Sequence, residues 1–247
     1  NIMPTIGLYT ATENELGSVQ RAAASLADDI SLVVRSASDL DDPTDTEAFL
    51  EEVTGTGTGT DTDPVATVFW LHGGEESLPG YEQAVTKLAE AGVPLIVKST
   101  GDAYAMEDTS VDTTTRNQAY EYLERGGTSN ITNLLRYLAE TFGSETYPYD
   151  DPVTLPTEGV YHPDHPGVSY DELRSTFDPG RPTVAIWFYE SHWTHENTQY
   201  IDAQVRALEA NGANALPIFC NPATDTDDQQ DAEWVTDTWL IDDGDPI

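Results

Sequence analysis

The first 143 residues alternate short apolar runs with amphipathic segments, and this alternation constrains the fold more than any other feature. The apolar runs are Pro4–Thr10, Ile30–Ser36, Val65–Gly74 and Val93–Thr100. Helical spacing of apolar residues occurs in Asn14–Asp28, Asp45–Val53, Tyr81–Gly92, Thr114–Gly126 and Ser129–Gly143. Strands that are apolar throughout are buried on both faces, which is typical of a parallel sheet covered by helices. The pattern predicts a doubly wound, flavodoxin- or Rossmann-like α/β domain. We expect strand order 2-1-3-4, because crossovers are right-handed and sequential strands tend to be neighbours.

A proline-rich segment at residues 144–182 interrupts this alternation, and proline can continue neither a helix nor a central strand. After it, the pattern predicts strands at Thr183–Ser191 and Ala213–Cys220, and helices at Asn197–Gly212 and Gln230–Trp239. The predicted organisation is an α/β domain over 1–143, a connector over 144–182, and the beginning of a second α/β domain over 183–247. Two strands leave open sheet edges, so we expect the chain to be a fragment of a longer protein.

The charge of the chain excludes two classes of partner. There are 45 acidic and 10 basic residues, for a net charge of −35. Nucleic acids and anionic membranes are contacted through lysine and arginine, so neither is expected as a partner. The acidic residues are spread along the whole chain rather than gathered in one tail. Molar salt shortens the Debye length to about 3 Å and would screen their repulsion, so the composition favours a salt-adapted protein, as in a halophilic archaeon.

The sequence carries no signal for export, and we expect a cytoplasmic protein. Cys220 is the single cysteine, so no internal disulfide can form, and its place after an apolar run predicts a small buried hydrophobe. No apolar run approaches the roughly 20 residues of a membrane-spanning helix. No signal peptide precedes Met3.

Five segments, in this order, resemble segments of one protein family. Two are short: Gly73–Gly74 after the third strand and Gly101–Asp102 after the fourth. The longer ones are YLERGGTSNITNLLRYL at Tyr122–Leu138, VYHPDHPGVSYDEL at Val160–Leu173, and Phe188–Phe219, which begins FYESHWTHEN and ends ALPIF. Their order and spacing are similar to those of the large subunit of class I tetrapyrrole metal chelatases, that is, CobN-type cobaltochelatase and the magnesium chelatase H subunit.

The resemblance implies a function in cobalamin biosynthesis. It implies ATP-dependent insertion of Co²⁺ into a corrin precursor, hydrogenobyrinic acid a,c-diamide, by a ligase that forms nitrogen–metal bonds. In that family the tetrapyrrole is held by the large subunit, and separate AAA+ and integrin-like subunits supply ATP hydrolysis. The chain would be the amino-terminal part of such a large subunit, with the catalytic residues beyond residue 247. The fragment itself would bind no cofactor, whereas the full complex would use Co²⁺ and ATP with Mg²⁺.

Alternatives to this function stay open at the level of sequence. Cobalt is favoured over magnesium because a salt-adapted archaeon would need cobalamin rather than chlorophyll. The other possibilities are a magnesium chelatase H-like subunit, a non-catalytic docking head, and a small-ligand-binding α/β module. Glu190 stands where many relatives carry arginine, which puts any anion-binding role of that arginine in doubt.

The hexapeptide HWTHEN lies between a predicted strand end and a predicted helix start. In open α/β sheets, ligands bind at the carboxyl ends of strands. His192 and His195 precede the predicted helix, and a closed metal site needs about four ligands, so we predict no metal here. One interpretation is a helix entry, capped by Asn197 and with Glu196 at the positive end of the helix dipole. The other makes His192, Trp193 and His195 contacts to a tetrapyrrole.

His72 and His162 are two further candidates for tetrapyrrole binding, and each has a structural alternative. His72 ends a strand beside paired glycines, which by themselves only permit a tight turn. His162 lies in the proline-rich segment and could simply donate a hydrogen bond to it. Trp70, Trp187 and Phe188 lie within strands and are predicted to be core residues. No catalytic residue is assigned, because no Ser-His-Asp or Cys-His arrangement stands out.

Overall fold

A computed structural model describes residues 3–56, 62–100, 105–221, 230–242 and 244–247. The chain divides into two compact units, Asn1–Thr154 and Leu155–Ile247, so the division falls inside the proline-rich segment. Each unit is built around its own sheet. Gly101–Asp102, one of the segments that carry the family resemblance, lies outside the described residues.

The sheet of the first unit has four parallel strands in the order β2-β1-β3-β4. They are β1 Pro4–Thr10, β2 Ser31–Ser36, β3 Asp63–Leu71 and β4 Leu95–Ser99. The predicted strand order is confirmed. Strand β1 is buried at every position, as expected for a strand covered on both faces. Strand β3 ends earlier than predicted, because the chain turns at Gly73 with a φ of 89° that favours glycine.

Helices cover both faces of this sheet, which confirms the doubly wound architecture. They are α1 Glu13–Leu26, α2 Pro43–Thr54, α3 Tyr81–Ala91, α4 Thr113–Arg125 and α5 Gly127–Phe142. One apolar cluster joins α1, α4 and α5 to the sheet, and a second cluster joins α2 and α3 to its other face. Gly126 and Gly127 have φ values of 60° and 81°, so α5 begins directly after α4 rather than at Ser129 as predicted.

In the described residues of the second unit, the sheet has three strands in the order β5-β7-β6. They are β5 Gly159–Val160, β6 Thr183–Tyr189 and β7 Asn214–Cys220. Strands β6 and β7 are parallel, whereas the short β5 runs antiparallel to β7. A separate pair of two-residue strands, β8 Ile241–Asp242 and β9 Asp245–Pro246, lies near the end of the chain.

Four helices in the described part of this unit accompany the second sheet. They are α6 Tyr170–Ser175, α7 Glu190–Thr194, α8 Gln199–Ala210 and α9 Ala232–Val235, which continues into a π-helical turn at Thr236–Leu240. Helix α8 covers one face, where Ile201 and Val205 contact Phe188 and Phe219. On the other face, Leu173 of α6 and Val235 of α9 belong to a cluster with the side chains of β7.

The predictions for individual core residues have mixed outcomes. Trp70 and Phe188 are 7% and 6% exposed, and Cys220 is fully buried, so those predictions are confirmed. Trp187 is 42% exposed, so its assignment to the core is wrong. The physical reason is that β6 has a neighbouring strand, β7, on only one side among the described residues, which leaves Trp187 partly uncovered. Its indole N–H donates to Cys220 Sγ at 2.9 Å.

Candidate functional site

The carboxyl ends of β1 and β3 form the topological switch point of the first unit. From β1 the chain crosses through α1 to β2, and from β3 it crosses through α3 to β4 on the opposite face. The two connections therefore diverge from adjacent strand ends, and this is the position at which ligands bind in open α/β sheets. A hydrogen bond of 2.9 Å from Ala11 N–H to the Trp70 carbonyl holds the two strand ends together.

His72 lies at this edge, directly after β3, as the sequence predicted for a strand-end histidine. Its Nδ1 is 3.0 Å from Thr100 Oγ1, so the ring is fixed to the end of β4. The side chain is exposed, and the neighbouring turn is tied to β4 by a 2.5 Å hydrogen bond from Ser99 Oγ to the Gly73 carbonyl. The imidazole is thus hydrogen-bonded at the strand edge through Nδ1, and its side chain remains exposed.

Glu15 lies close enough to His72 to interact with its charge, and the sequence analysis missed it. Its Oε2 is buried without a hydrogen-bond partner, and so is Thr12 Oγ1 at the start of α1. Burial raises the pKa of the Glu15 carboxyl, while a hydrogen bond to its own backbone and the nearby charge of His72 lower that pKa in part. Because the chain has 45 acidic residues, a single glutamate in the sequence does not indicate a functional site. Its position in the first turn after a strand end is the only sequence feature that could have drawn attention to it.

The hexapeptide HWTHEN was predicted to be a loop before the helix, but its first three residues belong to a short helix of their own. Helix α7 starts at Glu190 and contains His192 and Trp193, and His195 is its carboxyl-terminal cap. The extra helical turn forms because Trp193 stacks on Phe219 of β7, with ring centroids 4.3 Å apart and planes 5° apart. Packing against the sheet thus orders a segment whose polar residues suggested a loop.

The proposed helix entry is also different from the prediction. The amino-terminal cap of α8 is Thr198, and its side chain makes no capping hydrogen bond, so Asn197 is not the cap. Glu196 has a φ of 54°, a left-handed conformation that is uncommon outside glycine. The turn between α7 and α8 is therefore tight.

Three polar side chains of α7 and its cap are brought together at the carboxyl end of β6. Burial raises the pKa of Glu190, which accepts a hydrogen bond from Thr194 Oγ1 that lowers it in part. Burial lowers the pKa of His192, whose ring meets Tyr200 edge-on at 5.2 Å and whose Nδ1 is buried without a partner. Burial, together with the charge of His192, lowers the pKa of His195 to about 4. Both imidazoles are therefore neutral at pH 7 and can donate or accept one hydrogen bond at each ring nitrogen.

His162 lies elsewhere in the second unit and is only 5% exposed. Its Nε2 is 2.9 Å from Glu209 Oε1 on α8, and its Nδ1 accepts from Asp164 N–H at 3.2 Å. Arg206 pairs with both Asp164 and Glu209, which completes a polar ring that ties residues 162–164 to α8. A cavity of about 200 Å³ lined by His162, Glu209 and Asn214 adjoins this ring. Both ring nitrogens of His162 are occupied, so its contacts are structural.

The structure therefore groups His192, Trp193 and His195 in one place and leaves His72 and His162 at two others. Among the described residues, no group of three or more histidine, cysteine, aspartate or glutamate side chains could hold a metal ion. Within the same part of the chain, no helix is long and apolar enough to cross a membrane.

Comparisons with known proteins agree on one family. A family model described as CobN/Magnesium Chelatase matches residues 120–247. The aerobic cobaltochelatase subunit CobN of Pseudomonas aeruginosa is 30% identical over 211 residues, which is 83% of this chain and 16% of that protein. The H subunit of the magnesium chelatase from Rhodobacter capsulatus is 30% identical over 105 residues, which is 40% of this chain and 9% of that protein.

A solved structure has a similar fold. The catalytic subunit of cobaltochelatase from Mycobacterium tuberculosis superposes with a TM-score of 0.62 at 23% identity. The match covers 91% of this chain and 17% of that one. The chain thus spans less than a fifth of the length of each of these relatives.

Proposed function

The chain belongs to the CobN/magnesium chelatase family, and on that premise we propose that it is the amino-terminal part of the tetrapyrrole-binding large subunit of a cobaltochelatase. The proposed reaction inserts Co²⁺ into hydrogenobyrinic acid a,c-diamide with hydrolysis of ATP, in cobalamin biosynthesis. The Co²⁺ ion is a substrate whose final ligands are the nitrogens of the macrocycle, so a permanent metal cage in this part of the chain is not required.

The extent of sequence similarity to the relatives is the observation that favours cobalt over magnesium as the inserted metal. Two CobN relatives align over 83% and 87% of the chain, whereas the magnesium-chelatase relatives align over 40% to 61% of it. The alignment with the Pseudomonas protein therefore includes most of the first unit. A magnesium chelatase H-like subunit is the second candidate, and the shared match over residues 120–247 supports it.

The proposed contact with the tetrapyrrole is the carboxyl end of β6. A corrin precursor carries amide and carboxyl groups at its periphery, which need hydrogen-bond donors and acceptors. His192 has a buried Nδ1 without a partner, and the burial that lowers its pKa keeps the ring neutral. His195 and Trp193 support this site: His195 is 6% exposed, and Trp193 holds α7 against the sheet by stacking on Phe219. An unpaired buried nitrogen is satisfied when a ligand amide or carboxyl group reaches it.

His72 is a second proposed contact, and it belongs to the first unit. Its ring is exposed and fixed by Thr100 at the switch point, which suits a hydrogen bond to a peripheral group of the substrate. We do not propose the same for His162, because Glu209 and the Asp164 amide occupy its two nitrogens.

The proposed partners are an AAA+ subunit and an integrin-like subunit, which would hydrolyse ATP bound with Mg²⁺. Catalytic residues are proposed to lie outside the present chain. If neither unit touches the substrate, the role that remains is a docking head for these partners. A pull-down of the two partner proteins by the full-length protein, with and without corrin precursor, separates docking from substrate binding.

Spectral titration of the full-length protein tests the function. The metal-free corrin precursor is expected to bind, and a porphyrin such as protoporphyrin IX is expected to bind more weakly. The reverse order would favour a magnesium chelatase, and binding of neither would contradict the proposal. His192→Ala is expected to weaken corrin binding about fivefold, the effect of one hydrogen bond of about 1 kcal/mol. The matched control is His165→Ala, which removes an exposed imidazole of the same unit.

A further inference from the structure

Strand β6 is an edge strand without the features that usually protect an edge. Its sequence is TVAIWFY, with no charged residue, no proline and no glycine. It pairs with β7 in parallel along its whole length, from Thr183 with Asn214 to Tyr189 with Cys220. On its other side, no strand of the described residues pairs with it. Long apolar edges of this kind promote unwanted association unless something covers them.

Strand β6 has exposed side chains on both faces of the sheet. Val184, Trp187 and Tyr189 are 38%, 42% and 37% exposed, and Ala185 is exposed as well. Since side chains alternate along a strand, Val184 belongs to the face covered by α8, and the others belong to the opposite face. Exposure on both faces is the pattern of a strand that lacks a lateral neighbour.

Strand β4, the edge strand of the first unit, shows how this chain covers an edge. Leu95 N–H donates to Ser110 Oγ at 2.8 Å, and Val97 N–H donates to Thr109 Oγ1 at 3.0 Å. The Tyr120 hydroxyl donates to the Val97 carbonyl at 2.6 Å. The segment after β4 thus satisfies the outward backbone groups of β4. Among the described residues, β6 has no segment that does the same.

The topology of the first unit identifies the missing neighbour. There the first strand, β1, has the second strand, β2, on one side and the third, β3, on the other. In the second unit β6 corresponds to β1, α8 to α1 and β7 to β2, and α9 follows β7 as α2 follows β2. The counterpart of β3 would pair with β6 on its free side. Within the described residues after β7, the strands are β8 and β9, and these pair only with each other.

We propose that β6 is an internal strand of the whole protein and that a parallel strand from the polypeptide after residue 247 pairs with its free edge. This inference rests on one part of the proposed function, namely that the chain is the amino-terminal part of a longer protein. The lengths of the relatives support this, because the chain covers 16% of the Pseudomonas protein. A strand of the same polypeptide is kept near the free edge of β6 by its covalent connection. Its effective concentration at that edge is therefore higher than that of a separate molecule.

Site-specific photo-cross-linking in the full-length protein tests which polypeptide segment pairs with the free edge of β6. A benzophenone amino acid is placed at Trp187, and in a matched control at Tyr200, a 43% exposed residue of α8. The expected product is an intramolecular link from position 187 to a peptide after residue 247, with no such link from position 200. A link to a second copy, identified by mixing isotopically light and heavy protein, would overturn the proposal. So would a link to a partner protein, the absence of any link, or a polypeptide that ends near residue 247.

A pair of charge substitutions gives an independent measurement. Val184→Asp places a charge in the proposed strand interface, and Val153→Asp places the same charge at a valine that is 51% exposed. In the full-length protein, Val184→Asp is expected to lower the melting temperature by several degrees and Val153→Asp to change it little. Equal effects would overturn the proposal. Neither experiment involves cobalt or corrin, so a protein that prefers magnesium or porphyrin would contradict the proposed function and leave this inference intact.

Discussion

At the scale of single residues, burial of ionisable groups decides how the protein responds to pH. His195 is 6% exposed, and its pKa is lowered to about 4 from an ordinary value of 6.5. Unfolded histidine binds a proton below 6.5, whereas the folded protein binds it only below about 4. The contribution of a neutral His195 is therefore fully present above pH 6.5 and is lost as pH falls through the window down to about 4.

We predict that the free energy of unfolding falls by on the order of 3 kcal/mol across this window because of His195. His195→Gln is expected to flatten this part of the pH profile, as measured by urea unfolding at pH 7, 6, 5 and 4. Glu190 and His192 titrate nearby, so the informative quantity is the difference between the parent and the variant. The control is His165→Gln, at an exposed position, and identical profiles for the two variants would contradict the prediction.

Glu15 should give the opposite pH dependence. Because burial raises its pKa in the folded state, its contribution to stability is present at low pH and is lost as pH rises through the folded pKa. Above that pKa a charge is buried at Oε2 without a hydrogen-bond partner, which costs free energy.

We predict that Glu15→Gln raises the free energy of unfolding by about 1 kcal/mol at pH 8 and changes it little at pH 4. Chemical denaturation at the two pH values measures the effect. Glu13→Gln, an exposed carboxylate in the same helical turn, serves as the control and should be neutral at both. A loss of stability at pH 8 in Glu15→Gln would mean that the carboxylate has a favourable partner.

At the scale of secondary-structure elements, one close approach fixes the packing of α2 on the sheet. Gly7 lies in the middle of β1, and a Cβ at this position would lie 2.7 Å from Cγ2 of Val53 and 3.1 Å from its Cγ1. Glycine is needed here for space rather than for backbone conformation, because a strand residue has a negative φ that every residue adopts.

We predict that Gly7→Ala lowers the free energy of unfolding by about 1–3 kcal/mol, because the added methyl group overpacks a full core. Val53→Ala removes the two methyl groups that it would meet. The double variant should therefore lose less stability than the sum of the two single losses, which equilibrium unfolding of all four proteins measures. Strictly additive losses would mean that the clash is relieved in some other way.

At the scale of the whole molecule, repulsion among the acidic residues opposes the compact state, in addition to the conformational entropy lost on folding. The net charge is −35, and the ion pairs between described residues are mostly exposed and therefore individually weak. The Debye length shortens from about 10 Å at 0.1 M salt to about 3 Å at 1 M, so salt screens repulsion between the carboxylates.

We predict that the melting temperature rises by several degrees or more when KCl is increased from tens of millimolar to molar concentration. A neutral osmolyte that gives no ionic screening, such as sorbitol, is the control and should have a smaller effect. A melting temperature that is the same at low and high KCl would contradict the idea of salt adaptation.

Much of the first unit was predictable because its signals are local. The apolar run Pro4–Thr10 is strand β1 residue for residue, and Tyr81 begins α3 as predicted. The order of the four strands followed from the handedness of crossovers, which does not depend on particular side chains. The family resemblance was likewise carried by segments such as Tyr122–Leu138, which lie within single elements or their junctions.

The environment of individual side chains was set by tertiary packing. Residues adjacent in sequence met different surroundings in β6, where Trp187 is exposed and Phe188 is buried. His162 pairs with Glu209, 47 residues away, and no local pattern reports that contact. Stacking of Trp193 on Phe219 turned HWTHEN into part of a helix, and the fold of β1 and β3 buried the carboxyl of Glu15. Apolar periodicity and chain handedness are properties of the sequence alone, and they were enough to specify the main strands and helices of the first unit and the order of its strands. The burial of a side chain depends on distant segments that meet only in the folded molecule. Burial in turn decides the protonation state of a side chain and whether its polar atoms have hydrogen-bond partners.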